Sequence, residues 1–436
     1  MAAATVQAWP TVSSSSLQRV MFGAVVGGTI EAYDYLIYAQ ASALVFSTLF
    51  FPAVNPTLGI IASFATFAVG QFVRPIGAIV LGNLGDRIGR KPVLVLTFML
   101  MGASTLAIGL LPPYSAVGVL APILLVVCRV FQGFGVGAEF AGISVLLTEY
   151  APQGRRGLFG STTVLASSTG LALATGTLFA LQALPQDQLL AWAWRVPFLA
   201  SIVLVGVGFY IRRRIEESPA FVKVLEQRQV ERLPLKGLIT REWRSLLVIG
   251  GLAAGIQMGV YVFLTYMISY LTTQAHFAPA TATLMVTAAG VTAVIAGPVF
   301  GALSDVLGRR AVFGGSALVA AICVLPYFAL INTGDATLAT IAVVGMGGVI
   351  IQAMAGVQGS MFAEVFSTKL RYSGFAVGRE VSAAIFGGLS PVIAASLVAA
   401  SGGASWNLSI YLIVVLLLTF GTVLLVPETA RRPLRA

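Results

Sequence analysis

Twelve long apolar stretches follow one another along this chain of 436 residues, and they constrain its fold more than any other feature. A helix needs about 20 mainly apolar residues to cross a bilayer, and breaks rich in proline, glycine or charge separate stretches of at least that length. Only 10% of the residues are charged, against about 25% in a soluble domain, so the polar side chains cannot cover a globule of this size. The sequence therefore predicts an all-α integral membrane protein with twelve transmembrane helices. The predicted spans are 19–50, 57–82, 92–112, 118–148, 157–183, 193–213, 245–275, 279–303, 311–332, 337–365, 371–401 and 405–428.

Basic residues are distributed unevenly between the breaks, and this predicts how the chain is oriented. Alternate breaks and the two ends of the chain hold 22 of the 26 Lys and Arg residues, whereas the opposite set of breaks holds only Arg195. Because positively charged loops stay in the cytoplasm, we expect both termini to be cytoplasmic in a bacterial inner (plasma) membrane. This topology, with anionic lipid headgroups as neighbours, explains the net charge of +10 without a nucleic-acid partner.

An internal repeat divides the chain into two halves. Gly82-Asn-Leu-Gly-Asp-Arg-Ile-Gly-Arg-Lys91 joins spans two and three, and Gly301-Ala-Leu-Ser-Asp-Val-Leu-Gly-Arg-Arg310 joins spans eight and nine, 219 residues later. Parallel repeats of this kind place a substrate site between the halves near the bilayer midplane, with access alternating between the two sides. The predicted organisation is a cytoplasmic tail (1–18), a six-helix half (19–212), a cytoplasmic linker (213–244), a second six-helix half (245–428) and a cytoplasmic tail (429–436).

The repeated decapeptide has a chemistry of its own. Glycine permits a tight turn between closely packed helices, and an aspartate can bind a neighbouring helix N-terminus or an arginine. We therefore interpret the decapeptide as a latch that breaks in each transport cycle, although its basic cluster could serve as a topology signal alone. The predicted gating residues are Gly82, Asp86, Arg87, Gly89 and Arg90 in the first half and Asp305, Gly308 and Arg309 in the second.

The pattern G-x-L-x-D-x-x-G-R-[RK], present in both halves, is similar to that of the major facilitator superfamily. Finer motifs resemble its metabolite:proton symporter branch, which includes shikimate, α-ketoglutarate, citrate and proline/betaine permeases. The shikimate-type members are nearest, but Ala32 stands where an aromatic residue is common, and Arg379-Glu380 stands where those members have uncharged polar residues. The resemblance implies the major facilitator fold and proton-coupled transport of a metabolite by a functional monomer. The motifs are Glu31-Ala-Tyr-Asp34, Arg74-Pro-Ile-Gly77, Arg129-Val-Phe-Gln-Gly133, Gly137-Ala-Glu139, Trp194-Arg-Val-Pro-Phe198, Glu217-Ser-Pro-Ala-Phe221 and Arg371-Tyr-Ser-Gly374.

Acidic residues inside the spans are candidates for proton coupling. A charged side chain at the bilayer centre costs about 2.5–3.5 kcal/mol even on lenient insertion scales, so such groups must face a wet cavity or one another. Glu31 and Asp34 are three residues apart and share one helical face. Their mutual repulsion favours protonation of one of them, and we predict that Asp34 takes and releases the proton. The alternatives are a permanent ion pair with Arg74 or Arg129, or a conformational latch. Glu139 in span four is a further proton-relay candidate.

Arginines inside the spans are candidates for binding an anion. Arg129 lies near mid-membrane in span four, and its planar guanidinium matches a carboxylate; the alternative is a structural or relay role with Glu139 or Asp34. Arg74 is a substrate candidate too, but it precedes Pro75, which frees carbonyl groups that an arginine can satisfy. Arg379 is a second anion ligand by the same reasoning, although adjacent helix positions point about 100° apart, so Arg379 and Glu380 are not expected to face one cavity together.

Uncharged polar groups on spans seven and ten complete the predicted substrate site, because the corresponding helices of the superfamily line its cavity. Each of them could equally be a packing residue. The predicted groups are Gln257, Tyr261, Tyr266, Gln352 and Gln358.

Several classes of function are excluded or disfavoured. One His and two Cys are too few for a Cys/His metal cluster, no Gly-Lys-Ser/Thr loop is present for an ATP-driven pump, and no nucleophile–base set indicates an enzyme. We therefore expect no metal and no cofactor. Import of a small organic anion (cyclic, aromatic, or a di- or tricarboxylate) with a proton is the leading interpretation, since three interior arginines favour an anion. A proton symporter of a zwitterion such as proline or betaine is the alternative, and a drug/proton antiporter is disfavoured by the uptake-type motifs.

Overall fold

The computed structural model describes residues 14–52, 55–88, 90–136, 139–152, 154–202, 206, 240, 242–366, 371–430 and 432. Within these ranges the side chains of 14–20, 43, 82–83, 85–88, 90–95, 139, 146 and 150 are not described. The described part of the chain is helical and contains no β-strand. Most of the predicted linker, 213–244, and its motif Glu217–Phe221 lie outside the described residues.

Long helices run through the described ranges in the order that the apolar stretches predict. Nine of these described helices are long and apolar enough to cross a membrane. The other three helices are α1, which carries Glu31 and Asp34; α3, whose described apolar part is Leu96–Leu110; and α6, which is described continuously only to residue 202. The helices are α1 (Ser14–Ala41), α2 (Pro56–Ile88), α3 (Arg90–Leu110), α4 (Leu120–Val136 and Glu139–Tyr150), α5 (Arg156–Leu181), α6 (from the 3₁₀ turn Ala193–Arg195), α7 (Trp243–Thr273), α8 (Pro279–Leu307), α9 (Arg309–Ile331), α10 (Ala336–Val365), α11 (Arg371–Ala400) and α12 (Trp406–Leu425).

Burial separates inner helices from outer ones. The spans α7 and α10 are the most buried of the nine, at 67% and 61% of their apolar windows, and α1 is continuously buried from Tyr33 to Ala41. Large apolar side chains such as Ile295, Val306 and Leu425 are instead exposed on the outside of the bundle. Such a surface suits lipid tails. Because α1 and α7 are buried, their polar residues lie at the centre of the protein.

The two halves touch along α5 of the first and α8 of the second. Near one end the backbones of Gly157 and Gly301 are so close that a Cβ on Gly301 would lie 2.7 Å from the carbonyl oxygen of Gly157, which only glycine allows. Towards the other end, Gln182 Nε2 donates to Thr283 Oγ1 at 2.8 Å. The structure therefore shows the halves in contact at both ends of the bundle.

The repeated decapeptide differs from its predicted conformation. Helix α8 continues past residue 303 to Leu307, and the turn to α9 is the single residue Gly308, with φ +102°. The predicted glycine turn is thus confirmed at Gly308 but is shorter than the sequence indicated. In the first half, α2 likewise continues to Ile88, beyond the predicted end of the span at residue 82.

Four π-helical turns lie in the described part of the chain, and the sequence did not indicate them. The turn directly after α1 and the turn within α7 begin 220 residues apart, close to the 219-residue spacing of the decapeptides. A π turn widens a helix by one residue and is frequent at functional sites. The turns are Ser42–Phe46, Val262–Tyr266, Val344–Ile350 and Ala383–Gly388.

Candidate functional site

One end of the bundle holds the predicted gate of the second half. We call it the basic end, because Arg155, Arg309 and Arg371 lie there. Asp305 accepts hydrogen bonds from the backbone N–H groups of Gly157 (2.8 Å) and Leu158 (3.0 Å) at the start of α5. It also forms an ion pair with Arg309 at 2.8 Å. This carboxylate therefore ties α8 to the other half through a helix N-terminus, the kind of interaction expected of an aspartate in the decapeptide.

The first-half gating residues cannot be placed in the same way. Gly82, Asp86, Arg87, Gly89 and Arg90 belong to the residues or side chains outside the described part of the chain. A second inter-half contact at the basic end is nevertheless described. Arg371 Nη1 lies 2.6 Å from Glu149 Oε1.

The segment after α12 packs against the same end, although residues 429–436 were predicted to be a tail. Glu428 accepts hydrogen bonds from the backbone N–H groups of Arg309 and Arg310 at 2.9 and 3.1 Å. Partial burial raises the pKa of Glu428, but its bonds to four backbone N–H groups outweigh this and leave the pKa below its usual range. Thr429 is buried and donates to Glu364 Oε2 at 2.5 Å. The residues directly after α12 are therefore part of the folded basic end.

Arg129 is completely buried in the first half and is held there by aromatic rings and hydrogen bonds. Its guanidinium carbon lies 4.0 Å from the ring centre of Tyr38 and 4.9 Å from that of Tyr35. It donates to Gln132 Oε1 and, at 3.3 Å, to the carbonyl of Phe67. Gln132, which the sequence analysis did not single out, donates in turn to Thr105 at 2.8 Å and to the backbone carbonyl of Asp34 at 3.2 Å.

Asp34 is fully buried, yet neither of its carboxylate oxygens accepts a hydrogen bond from any described residue. The predicted alternative, a permanent ion pair with Arg74 or Arg129, is absent among the described side chains. Glu31, the second acid on this face, lies close enough to act electrostatically on both Asp34 and Arg74. The side chain of Glu139, the third proton-relay candidate, is outside the described part.

Arg74 joins the two halves through Glu380. Its Nε lies 2.7 Å from Glu380 Oε2, and its Nη2 lies 3.3 Å from Oε1. The structural role predicted for Arg74, binding carbonyls freed by Pro75, is not seen among its described contacts. Arg379 also reaches Glu380, at 2.5 Å, and its guanidinium carbon lies 3.9 Å from the ring centre of Phe140. Although adjacent helix positions point in different directions, the long Arg379 side chain turns back to its neighbour Glu380.

The uncharged candidates are all buried, but they differ in what they face. The ring centre of Tyr261 lies 6.5 Å from that of Tyr35, and that of Tyr266 lies 6.0 Å from that of Phe64, so both tyrosines of α7 meet the first half. Gln352 donates to Gly347 of its own helix, at 3.5 Å. No side-chain hydrogen bond is described for Gln257 or Gln358, so both keep their place as candidates.

Three polar residues that the sequence analysis missed lie among these groups: Tyr35, Gln40 and Gln71. The Tyr35 hydroxyl, the Gln40 side-chain oxygen and both amide atoms of Gln71 are buried and have no hydrogen-bond partner among the described residues. Gln40 Nε2 donates across the halves to the Leu264 carbonyl at 3.0 Å. Their only sequence signal is a weak one, an uncharged polar residue within an apolar span.

Several of these buried polar and charged side chains, on α1, α2, α4 and α11, form a group that we call the central cluster. Buried polar atoms in proteins are nearly always hydrogen-bonded, so several without partners in one place indicate a site that binds a ligand or water. The cluster is also charged, with acids and guanidinium groups of both halves. Its members are Glu31, Asp34, Tyr35, Gln71, Arg74, Arg129, Arg379 and Glu380.

Known proteins are similar to this chain over nearly its whole length. The model of the family described as sugar (and other) transporter matches residues 20–233 and 224–436. A proline/betaine transporter of Salmonella typhimurium is 35% identical over 436 aligned positions, which cover 97% of this chain and 86% of that protein. A shikimate transporter of Escherichia coli is 34% identical over 429 positions, covering 97% of each.

Solved structures share the fold. A proton:xylose symporter of the major facilitator superfamily, solved with 6-bromo-6-deoxy-D-glucose, superposes with a TM-score of 0.75 at 17% identity and covers 97% of this chain and 98% of that one. The twelve helices therefore form the major facilitator fold, with two six-helix halves. The chain belongs to the sugar (and other) transporter family of the major facilitator superfamily, and it is a membrane transporter and not an enzyme.

Proposed function

We propose that the protein imports a small organic anion together with a proton, by exposing its central cluster alternately to the two sides of a bacterial inner membrane. The anion is a cyclic or aromatic carboxylate, or a di- or tricarboxylate. The carrier works as a monomer with both termini in the cytoplasm, as the basic loops predict. In this proposal the two cytoplasmic tails, the two six-helix halves and the cytoplasmic linker have the boundaries that the sequence predicts.

Charge balance at the central cluster is the observation that carries the proposal. Its described charged side chains are three acids, Glu31, Asp34 and Glu380, and three arginines, Arg74, Arg129 and Arg379. They cancel when all are ionised. A bound monoanion adds one uncompensated negative charge to a buried site, which is costly, and one proton on an acid removes it.

Asp34 is the acid that fits this role best, because it is buried and its oxygens lack partners among the described residues. Glu31 and Glu139 assist in moving the proton. Arg129, Arg74 and Arg379 attract the carboxylate, and the uncharged candidates of α7 and α10 orient the rest of the molecule. The contacts of Asp305, Gly308 and Arg309, and those of their first-half counterparts, form when the basic end closes and break when it opens.

A zwitterion such as proline or betaine is the second candidate. Relatives named for proline and betaine transport are 35% identical to this chain. The rings of Phe67 and Tyr261 pack against each other and against Tyr35 of the central cluster. Aromatic rings bind quaternary ammonium groups. A zwitterion adds no net charge, so charge balance alone does not require a proton with it.

The test is the external pH of lightly buffered, de-energised cells that express the protein. Shikimate, α-ketoglutarate, citrate, protocatechuate, proline and betaine are added singly. We expect one acid to make the medium more alkaline, and we expect Asp34→Asn to lose this signal while still exchanging labelled substrate across the membrane. Asp187→Asn, a change at an exposed aspartate outside the spans, is the matched control and should keep the signal.

Two results would contradict the proposal. Alkalinisation by proline or betaine alone would replace the anion with the zwitterion. Uptake of an acid without any pH change, or with the full change in Asp34→Asn, would remove proton coupling through Asp34.

A further inference from the structure

The ion pair of Arg74 and Glu380 is unusual because it joins the two halves inside the bundle. Arg74 lies on α2 of the first half and Glu380 on α11 of the second. Both are buried, with side-chain exposures of 7% and 3%. Movement of α2 away from α11 must break this pair, and breaking a buried pair leaves charges without partners.

The two ends of the pair are not equivalent. When Arg74 leaves, Glu380 still has Arg379, its neighbour on the same helix, at 2.5 Å. Among the described residues, no carboxylate other than Glu380 lies within ion-pair distance of Arg74. Its guanidinium carbon lies 5.2 Å from the ring centre of Tyr35, and Glu31 of the same half acts on it only from beyond ion-pair distance. Arg74 is therefore the group that needs a new anion when the halves separate.

We propose that the carboxylate of the transported molecule binds Arg74 in the place that Glu380 occupies in the closed protein, so that Arg74 exchanges one carboxylate for another during transport. A guanidinium offers the same planar pair of N–H groups to either carboxylate. Glu380 stays paired with Arg379 throughout, and no buried charge is left alone. This inference rests on the proposed function only in that the substrate carries a carboxylate, as organic acids, proline and betaine all do.

Gln71 supplies neighbouring hydrogen-bond groups for the rest of the molecule. It lies one helical turn from Arg74 on the same face of α2, next to Gly388 of the second half. Both of its amide atoms are buried without a partner among the described residues. The site thus selects molecules with a carboxylate, and we expect it to reject analogues that lack one, such as choline or a methyl ester of shikimate.

Acetate provides a test that does not need the natural substrate. Glu380→Ala removes a CH₂–COO⁻ group, which is acetate apart from one hydrogen. In sodium chloride, we expect purified Glu380→Ala to have a lower thermal unfolding midpoint than the wild-type protein. In sodium acetate of equal ionic strength, we expect the variant to recover at least half of that difference. Acetate should not shift the wild-type protein, in which Glu380 occupies the place, and neutral acetamide should not replace acetate.

The double variant Arg74→Gln/Glu380→Ala is the matched control, because it has the same vacant place and keeps Arg379 but lacks Arg74. Acetate should raise its unfolding midpoint by less than half as much as it raises that of Glu380→Ala. A rise of half or more in the double variant, or no rise in either variant, would overturn the exchange.

Glu380→Gln keeps the shape of the side chain and serves if Glu380→Ala does not fold. It leaves Arg74 without its anion. Shikimate, betaine or acetate should therefore stabilise Glu380→Gln at a concentration at least tenfold lower than the wild-type protein needs, and choline should not stabilise it. Equal concentrations for the two proteins would overturn the proposal. Because these readouts involve no proton, the exchange and the proton coupling of the proposed function can fail independently.

Discussion

Arg129 shows how a single charge is kept inside this bundle. Its guanidinium has the rings of Tyr38, Tyr35 and Phe67 around it, and a desolvated cation–π contact contributes about 2 kcal/mol or more. Hydrogen bonds to Gln132 and to the Phe67 carbonyl hold its plane. The position of the Arg129 side chain therefore depends on Gln132, a neutral residue that also donates hydrogen bonds to α1 and α3.

Replacement of Gln132 by leucine tests this dependence. Gln132→Leu leaves Thr105, the Asp34 carbonyl and one edge of Arg129 without their partner, and an unmade buried hydrogen bond costs about 1–3 kcal/mol. We expect a clearly lower unfolding midpoint in thermal denaturation of the purified protein. Gln182→Leu, which removes a less buried bond to Thr283, is the control and should have a smaller effect. Equal losses would mean that Gln132 has no special role.

At the scale of residues, the sequence located the charged side chains of the interior but not their partners. Charges such as Asp34 and Arg74 stand out because they are costly in an apolar span. The pairing of Arg74 with Glu380, 306 residues away, depends on how the halves meet, and nothing local encodes it. Gln71 and Gln132 were missed because an uncharged amide in a span is not by itself unusual.

At the scale of elements, the N-terminus of α5 is the part of the proposed gate that the structure describes most fully. Two N–H groups there bind the two oxygens of Asp305, one each. An asparagine has only one acceptor oxygen and no charge to complement the helix dipole. The closed state of the basic end is therefore sensitive to this one substitution.

Asp305→Asn should open the basic end more often. A loss of about 1.4 kcal/mol corresponds to a tenfold change in population. We expect about a tenfold faster maleimide labelling of a cysteine placed at buried Ser360, beside Gly160, in a background without Cys128 and Cys323. Asp335→Asn is the control, since Asp335 caps α10 at the opposite end with bonds of 2.7 and 2.9 Å. The same labelling rate in both variants would contradict the gate.

The predicted spans located the helices, but not their internal geometry. Apolar length is enough to place α8 or α12, because the bilayer fixes how much of a helix must be apolar. The π turns at Ser42–Phe46 and Val262–Tyr266 have no such signal. An extra residue in a helical turn depends on packing and hydrogen bonding in the folded protein, which apolar length does not reveal. For the same reason the turn at Gly308 was predicted but its length was not.

At the scale of the whole molecule, the two halves share one orientation that can be tested directly. Alkaline phosphatase is active only outside the cytoplasm. Fused after Gly334, in the loop between α9 and α10, it should be active; fused after Gly154, between α4 and α5 at the basic end, it should be inactive. The reverse pattern would invert the proposed topology and with it the cytoplasmic placement of the gate.

The cancellation of charge in the central cluster has a consequence for the electrical behaviour of the carrier. Moving one elementary charge through 100 mV changes the free energy by about 2.3 kcal/mol. Three carboxylates and three guanidinium groups that move together carry no net charge, so the membrane potential neither drives nor opposes the return of the empty carrier through these groups. Loading with a monoanion and one proton preserves that balance, whereas loading with a zwitterion and one proton makes the carrier cationic. On the proposed mechanism, import of a monoanion with one proton is therefore electrically silent, whereas import of a zwitterion with one proton would generate a current.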